Sequence, residues 1–316
     1  MAVYWGEKRY YSLDHYLKQT YGEKIYKISL SGSMTCPNRD GTLGERGCIF
    51  CSQGGSGEFA ADVSLPVSEQ IERGKLMVKR KHNGCSYIAY FQSYTSTYAP
   101  ISYLRSIFTE AINHPDIRIL AIATRPDCLG SNILNLLREL THIKPVWVEL
   151  GLQTIHENTA QFIRRGYKLP VFEQAVASLR ALDIPVIVHV ILGLPGENTE
   201  QILETMNYLN VMNIQGIKLQ LIHILKDTDL ALYYEKHPFH LPDMEEYFTL
   251  LGQCICRLRP DIVLHRLTGD GPRSLLLAPL WTTDKKQVLN QMHAYFRRHD
   301  IWQGKEFSYD RSIETI

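Results

Sequence analysis

The sequence predicts an α/β fold, a partial (β/α)6 barrel carrying an α-rich C-terminal extension. Short apolar runs at 87–91, 117–123, 146–150, 186–192 and 216–221 alternate with stretches of helical period. That alternation implies a parallel sheet joined by right-handed crossovers. A first strand at 24–30 completes six units, and a Gly- and charge-rich loop bearing three of the seven cysteines leaves its C-terminal end, where barrels gather their chemistry. With 316 residues, 45% of them hydrophobic, the chain can bury the core of one elaborated domain.

In chain order, residues 1–23 mix Tyr4, Trp5, Tyr10, Tyr11, Tyr16 and Tyr21 with charges. This suits an amphipathic helix closing one barrel end or an aromatic platform for bases. The core barrel is expected over 24–241. After the cysteine loop, a helix is expected at 66–81, stopped by Asn83-Gly84 before the second strand. Further helices are expected at 101–113, 132–141, 171–182 and 200–212. Beyond residue 241 the alternation gives way to a helix at 244–258, a strand-like 262–265 and a last helix at 284–299. This extension, 242–316, is expected to pack on the barrel and shape the substrate site. No repeat and no linker-like low-complexity stretch interrupts the chain.

Formal net charge is +1, so no global field points to nucleic acid, and any such surface must come from local asymmetry. Two basic segments stand out, 73–82 (with Arg73, Lys75, Lys79, Arg80 and Lys81) and a C-terminal group of Lys285, Lys286, Arg297, Arg298 and His299. Each is either a solvated helix face or a phosphate-binding surface. No basic-then-apolar leader opens the chain, and no apolar run approaches the roughly 18 residues that span a bilayer. A cytoplasmic protein without a membrane partner is expected. Unpaired cysteines suit that reducing compartment.

Cys36 is separated by eleven residues from Cys48, which is two from Cys51. Soft thiolates at such spacing suit zinc or an iron–sulfur cluster, and the missing fourth ligand separates the two. A structural zinc site wants a second pair. None exists, because Cys85, Cys128, Cys254 and Cys256 lie isolated or as CxC in largely apolar surroundings and read as buried small hydrophobes. Three cysteines on a [4Fe-4S] cluster leave one iron open to a small chelating ligand.

With Phe50 just before the last cysteine, the motif resembles the radical S-adenosylmethionine (SAM) signature in a wide-gap CX11CX2C form. Together with the stretches 91–100 and 266–273, it resembles one bacterial subfamily of about this length, related to the Elongator-type radical SAM core, and the likeness covers nearly the whole chain. The resemblance implies a [4Fe-4S] cluster on Cys36, Cys48 and Cys51, and SAM as cosubstrate, cleaved to a 5′-deoxyadenosyl radical. It implies tRNA as macromolecular partner, with conversion of the wobble 5-carboxymethylaminomethyl uridine to 5-aminomethyl uridine. Hydrogen would leave the carbon next to the side-chain nitrogen, oxidation would give an imine, and water would release the carboxymethyl fragment. An electron donor such as flavodoxin or ferredoxin and a downstream methyltransferase are the other implied partners. A radical SAM enzyme acting on another RNA base, protein or metabolite is the alternative, and a non-catalytic iron or zinc RNA-binding protein the alternative outside enzymes.

The same resemblance distributes cofactor contacts over strand ends. Tyr94, Thr95, Ser96 and Thr97 follow strand two and are expected at the methionine amine. Gln153, with Glu149 second, is expected at the ribose, although Glu149 could instead pair with a barrel arginine. Arg165 matches the position that forks onto the methionine carboxylate. Gly193, in His189-Val-Ile-Leu-Gly-Leu-Pro-Gly, would let backbone approach the adenine. Lys218, His223 and Lys226 are candidates for the barrel mouth, with His223 and Lys226 as catalytic candidates. His223 is a general base or a satisfied core histidine. Arg266, Asp270 and Arg273 form either an anion site, suited to a substrate carboxylate, or a salt-bridged turn.

Overall fold

In this computed structural model, residues 5–55, 57–79, 84, 86–269 and 271–308 are described. The elements are α1 (Leu13–Tyr21), β1 (Tyr26–Leu30), α2 (Val67–Val78), β2 (Tyr87–Phe91), α3 (Ile101–Asn113), β3 (Ile117–Thr124), α4 (Ser131–Thr141) and β4 (Val146–Gln153). There follow α5 (Glu157–Phe162), α6 (Leu169–Arg180), β5 (Val186–Leu192), α7 (Thr199–Val211), β6 (Gly216–Leu221), β7 (Ile224–Leu225) and α8 (Asp229–Lys236). The C-terminal part adds α9 (Met244–Arg257), β8 (Val263–Arg266), β9 (Leu276–Ala278) and α10 (Lys285–Arg298). The expected helix end at 80–83, including Arg80, Lys81 and Asn83, lies outside the described residues, as does Cys85.

Seven parallel strands form one sheet in the order β1-β2-β3-β4-β5-β6-β8, so the six expected strands hold their places as a partial barrel. The seventh strand corrects the expectation for the extension. Rather than only packing on the barrel, 263–266 hydrogen-bonds to β6 and lengthens the sheet. Its open edge is covered, with the Leu264 N–H donating to the Tyr11 carbonyl at 2.7 Å, which removes an unpaired strand edge. The short α5 and α8 and the antiparallel pair β7/β9 had no periodic signal in the sequence.

Local chemistry sets the boundaries. Ser12 caps α1 by accepting the His15 N–H, and Gly22 ends it in the left-handed region at φ 75°. Asn198 with Gln201, and Asp243 with Glu246, form capping boxes on α7 and α9. One face of the sheet carries the helices, with Phe91, Phe108, Phe172 and Tyr247 among the fully buried side chains between them. The concave face is closed at the N-terminal ends of the strands by α1. Leu17 packs with Ile25, Ile88, Ile119, Trp147 and Ile187, and the Tyr16 ring meets Trp147 at 6.0 Å between centroids. Of the two readings of residues 1–23, packing is the one observed for α1. Among the described residues no helix is long and apolar enough to cross a membrane.

Candidate active site

A cavity of about 380 Å³ opens at the C-terminal ends of the strands, and Cys36, Cys48 and Cys51 all line it. The loop that carries them is held by its own polar residues. Asn38 Nδ2 donates to the Arg164 carbonyl at 2.7 Å and to Cys48 Sγ at 3.5 Å, while Arg39 Nη2 donates to the carbonyls of Cys51 and Ser52 at 2.9 and 2.6 Å. Gly47, at φ 72°, gives the loop a reversal that also leaves room for the Arg39 guanidinium. Burial pushes the Cys48 thiol up to about 12 and raises Cys51 as well, with Arg125 and Arg39 respectively pulling the other way. A thiolate here therefore needs a cation.

The three sulfurs do not converge within 4.8 Å of one another. A single tetrahedral zinc, with Zn–S about 2.3 Å, would draw them to about 3.8 Å.

Phe50, Tyr94, Thr95, Glu149, Gln153, His223 and Arg266 share the cavity wall with the cysteines. Thr95 and Ser96 are fully buried, and each hydroxyl is without a hydrogen-bond partner among the described residues. Gln153 stands at a bulge ending β4, at φ 68°, and faces the cavity. Tyr94, at φ 55°, reaches back to the Gln53 carbonyl and so ties the β2 end to the cysteine loop.

Other expected residues lie elsewhere. Thr97 is locked between Thr124 Oγ1 at 2.6 Å and the Cys128 carbonyl at 2.7 Å. Gly193 takes φ 79° but does not line the cavity; a side chain there would meet Leu221 and Ile222. Lys226 is exposed, its N–H held by the Leu275 carbonyl at 2.7 Å, and the exposed Arg273 donates to the Thr283 carbonyl at 3.1 Å; neither lines the cavity. Asp270 lies outside the described residues.

Arg165 requires the largest correction. Its guanidinium is buried away from the cavity, donating to the carbonyls of Thr154 (2.7 Å), Leu152 (3.4 Å) and Tyr167 (3.0 Å) and to Glu157 at 3.2 Å. A donor set so committed acts as a strut between β4 and α5. Arg164 is no substitute, since it pairs with Asp229 beside Arg46. The cations beside the cysteines are Arg39 and Arg125, the latter held bidentate by Asp127 at 2.9 and 2.7 Å. Arg39 was legible as a cation inside the cysteine loop and Arg125 as one just past a strand end, but neither had a spacing signal. Arg165→Ala is expected to cost about 2–4 kcal/mol of stability by stranding buried carbonyls, with SAM affinity changed less than about threefold. A tenfold loss of affinity by calorimetry with an unaltered melting curve would return Arg165 to the cofactor.

Glu149 lines the cavity and is heavily paired. Its fully buried carboxylate receives Lys27 at 2.7 Å on one oxygen, and Lys218 and His189 (2.8 Å) on the other. The partners are two lysines and a histidine rather than a barrel arginine. Burial opposes its ionisation, but Lys218 and Lys27 overcome that and hold it well below the usual carboxylate range. Burial, assisted by Lys218, pushes His189 down to about 4, so it is a neutral donor to Glu149 at neutral pH. Glu149 thus contributes to the cavity floor as the centre of an ion network.

Residues 40–209 match the Radical SAM superfamily, and residues 214–298 match the Radical_SAM C-terminal domain. The chain is 38% identical over 301 residues to the uncharacterized protein YtqA of Bacillus subtilis, covering 95% of this chain and 94% of that one. It is 23% identical over 190 residues to the tRNA uridine(34) acetyltransferase of Methanocaldococcus jannaschii, covering 58% of this chain and 33% of that one. Its fold is similar to that of the archaeal Methanocaldococcus infernus Elp3, at TM-score 0.68 and 14% identity, over 88% of this chain and 64% of the Elp3 chain. Matched along more than half its length and aligned nearly end to end with YtqA, the chain belongs to the radical SAM superfamily, which implies SAM and a [4Fe-4S] cluster as its cofactors.

Proposed function

We propose that this protein is a tRNA-modifying radical SAM enzyme that converts 5-carboxymethylaminomethyl uridine to 5-aminomethyl uridine at the wobble position. The observation that carries the radical chemistry is one cavity lined by three thiols and by Thr95, whose buried hydroxyl has no hydrogen-bond partner among the described residues. Cys36, Cys48 and Cys51 would hold the cluster, and the Thr95 hydroxyl is a buried polar atom on the cavity wall that a ligand such as the methionine part of SAM would satisfy. When bound, cluster and SAM supply a 5′-deoxyadenosyl radical; the protein orients the substrate and excludes water. Phe50, Tyr94 and Gln153, also on the cavity wall, are the residues proposed to meet the nucleoside.

The tRNA reading is supported by the likeness to the uridine(34) acetyltransferase and by the fold shared with Elp3. The surface supports it at one of the two basic segments. In α2, Arg73 pairs with Glu69, and Lys75 pairs with Glu72 and Asp116, so that run is largely neutralised among the described residues. The helix α10 contains no acidic residue, and its exposed Lys286, Arg297 and Arg298 have no ion-pair partner among the described residues. It is the better phosphate-binding face.

The test is nucleoside mass spectrometry of total tRNA from a strain lacking the gene. Accumulation of 5-carboxymethylaminomethyl uridine with loss of 5-aminomethyl uridine and its methylated product is expected. An unchanged nucleoside profile, alongside purified protein that still forms 5′-deoxyadenosine, would reject tRNA and leave a radical SAM enzyme for another RNA base, protein or metabolite.

A further inference from the structure

Asn38 lies two positions after Cys36 and is 5% exposed, so both hydrogens of its amide need acceptors inside the protein. One acceptor is the Arg164 carbonyl at 2.7 Å, and the other is Cys48 Sγ at 3.5 Å. Chemistry decides which way this amide faces. A carbonyl and a sulfur that must lose its proton to bind iron are both acceptors, so the flipped amide would set Oδ1 against their lone pairs. Oδ1 lies instead toward Gly166, which takes φ 82°; a Cβ there would stand 2.7 Å from that oxygen.

The donor is held in place without help from a metal. Its own carbonyl accepts the Gly47 N–H at 2.7 Å. The Arg164 carbonyl belongs to a peptide anchored just past α5, where the Arg164 N–H donates to the Gln161 carbonyl and the Arg165 N–H to the Ala160 carbonyl, each at 2.9 Å. That same Arg164 carbonyl is 3.6 Å from Cys48 Sγ, so the protonated thiol donates to it. Once iron takes the place of the proton, sulfur and carbonyl face each other as two acceptors. The Asn38 amide is then the group that satisfies both.

We infer that Asn38 is a positioning residue that sets the reduction potential of the cluster through its bond to the Cys48 sulfur. Adding an electron to an iron–sulfur cluster puts negative charge on its sulfurs, so an N–H donor fixed there favours the reduced state. The electron comes from an external one-electron reductant, and no bond is made or broken. The inference rests on the cluster proposed above for Cys36, Cys48 and Cys51 and is independent of tRNA.

The test is a redox titration of the anaerobically reconstituted protein without SAM or RNA, with iron counted in every sample and the reduced cluster read by electron paramagnetic resonance. Asn38→Leu, which removes both N–H groups at similar volume, should make the cluster about tenfold harder to reduce, a fall in midpoint of about 59 mV for one electron. Asn38→Gln keeps the amide on a longer stem and should recover most of that difference. A purely structural role would lower iron content or the melting temperature and leave the midpoint of the remaining clusters in place. If Asn38→Leu holds no cluster, the wild type carries the test alone. Asparagine labelled with nitrogen-15 in its side-chain amide should then give a nitrogen coupling to the reduced cluster, since Asn38 is the one asparagine bonded to a cysteine sulfur among the described residues. An unchanged midpoint in Asn38→Leu with full iron, or no such coupling in the wild type, overturns the inference. A wild type that takes up no iron rejects the cluster itself, and the inference falls with it.

Discussion

Replacing Cys36, Cys48 and Cys51 together with alanine is expected to abolish the iron content and brown colour of the anaerobically reconstituted protein, and with them all formation of 5′-deoxyadenosine. The expectation follows from where the thiols sit. All three line one cavity, Asn38 and Arg39 fix the loop between them, and burial keeps at least Cys48 and Cys51 protonated unless iron displaces the proton. Cys254 and Cys256 differ, being buried in α9 at 0% and 4% exposure among apolar neighbours. Cys254→Ala or Cys256→Ala should cost about 1 kcal/mol by opening a small void and leave iron per chain unaltered. Iron analysis decides the matter. Full iron in the triple variant would remove the cluster from this loop, and iron lost from either α9 variant would point to a second centre.

The barrel was legible because each of its parts is a local pattern. Runs such as 87–91 are fully buried strands, read directly from uninterrupted apolar residues, and the two ends of α3 fall where the periodicity breaks. The cysteine spacing carried the cofactor in the same local way. What the sequence hid was the direction of long side chains. Arg165 stands next to a glycine in a motif that suggests an anion ligand, yet its reach lets it turn back onto three carbonyls of its own chain neighbourhood. Glu149 lies in a strand whose neighbours are apolar, and its partners Lys27 and Lys218 are more than a hundred and nearly seventy positions away respectively. Likewise the strand at 263–266 is too short to advertise that it continues the sheet beside β6. These are facts of tertiary closure, where one residue's role depends on which strand becomes its neighbour.

Glu149→Gln is expected to destabilise the fold by about 3–5 kcal/mol, the usual cost of leaving buried charge without its partner. Its removal strands Lys218, which is almost wholly buried, and leaves Lys27 beside it at 20% side-chain exposure. The loss should be largely a matter of charge, because glutamine keeps the volume and some of the hydrogen bonds. Glu149→Gln combined with Lys218→Met should therefore recover a substantial part of that stability, which no simple packing defect would do. Urea unfolding of the wild type, both single variants and the double variant measures the coupling. The network also fixes a sign for pH. His189 is held down to about 4 in the folded chain against an ordinary value of 6.5, so between those limits the unfolded chain binds the extra proton and stability falls as the solution is acidified. Glu149 works in the same direction at still lower pH, its depressed value making its contribution present above the ordinary carboxylate range and lost as pH falls through the folded value. His189→Gln should flatten the first of these losses, between about pH 6.5 and 4. A Glu149→Gln protein as stable as the wild type, or a double variant no better than the single, would mean that Lys218 gives up its proton and the floor is not held together by charge.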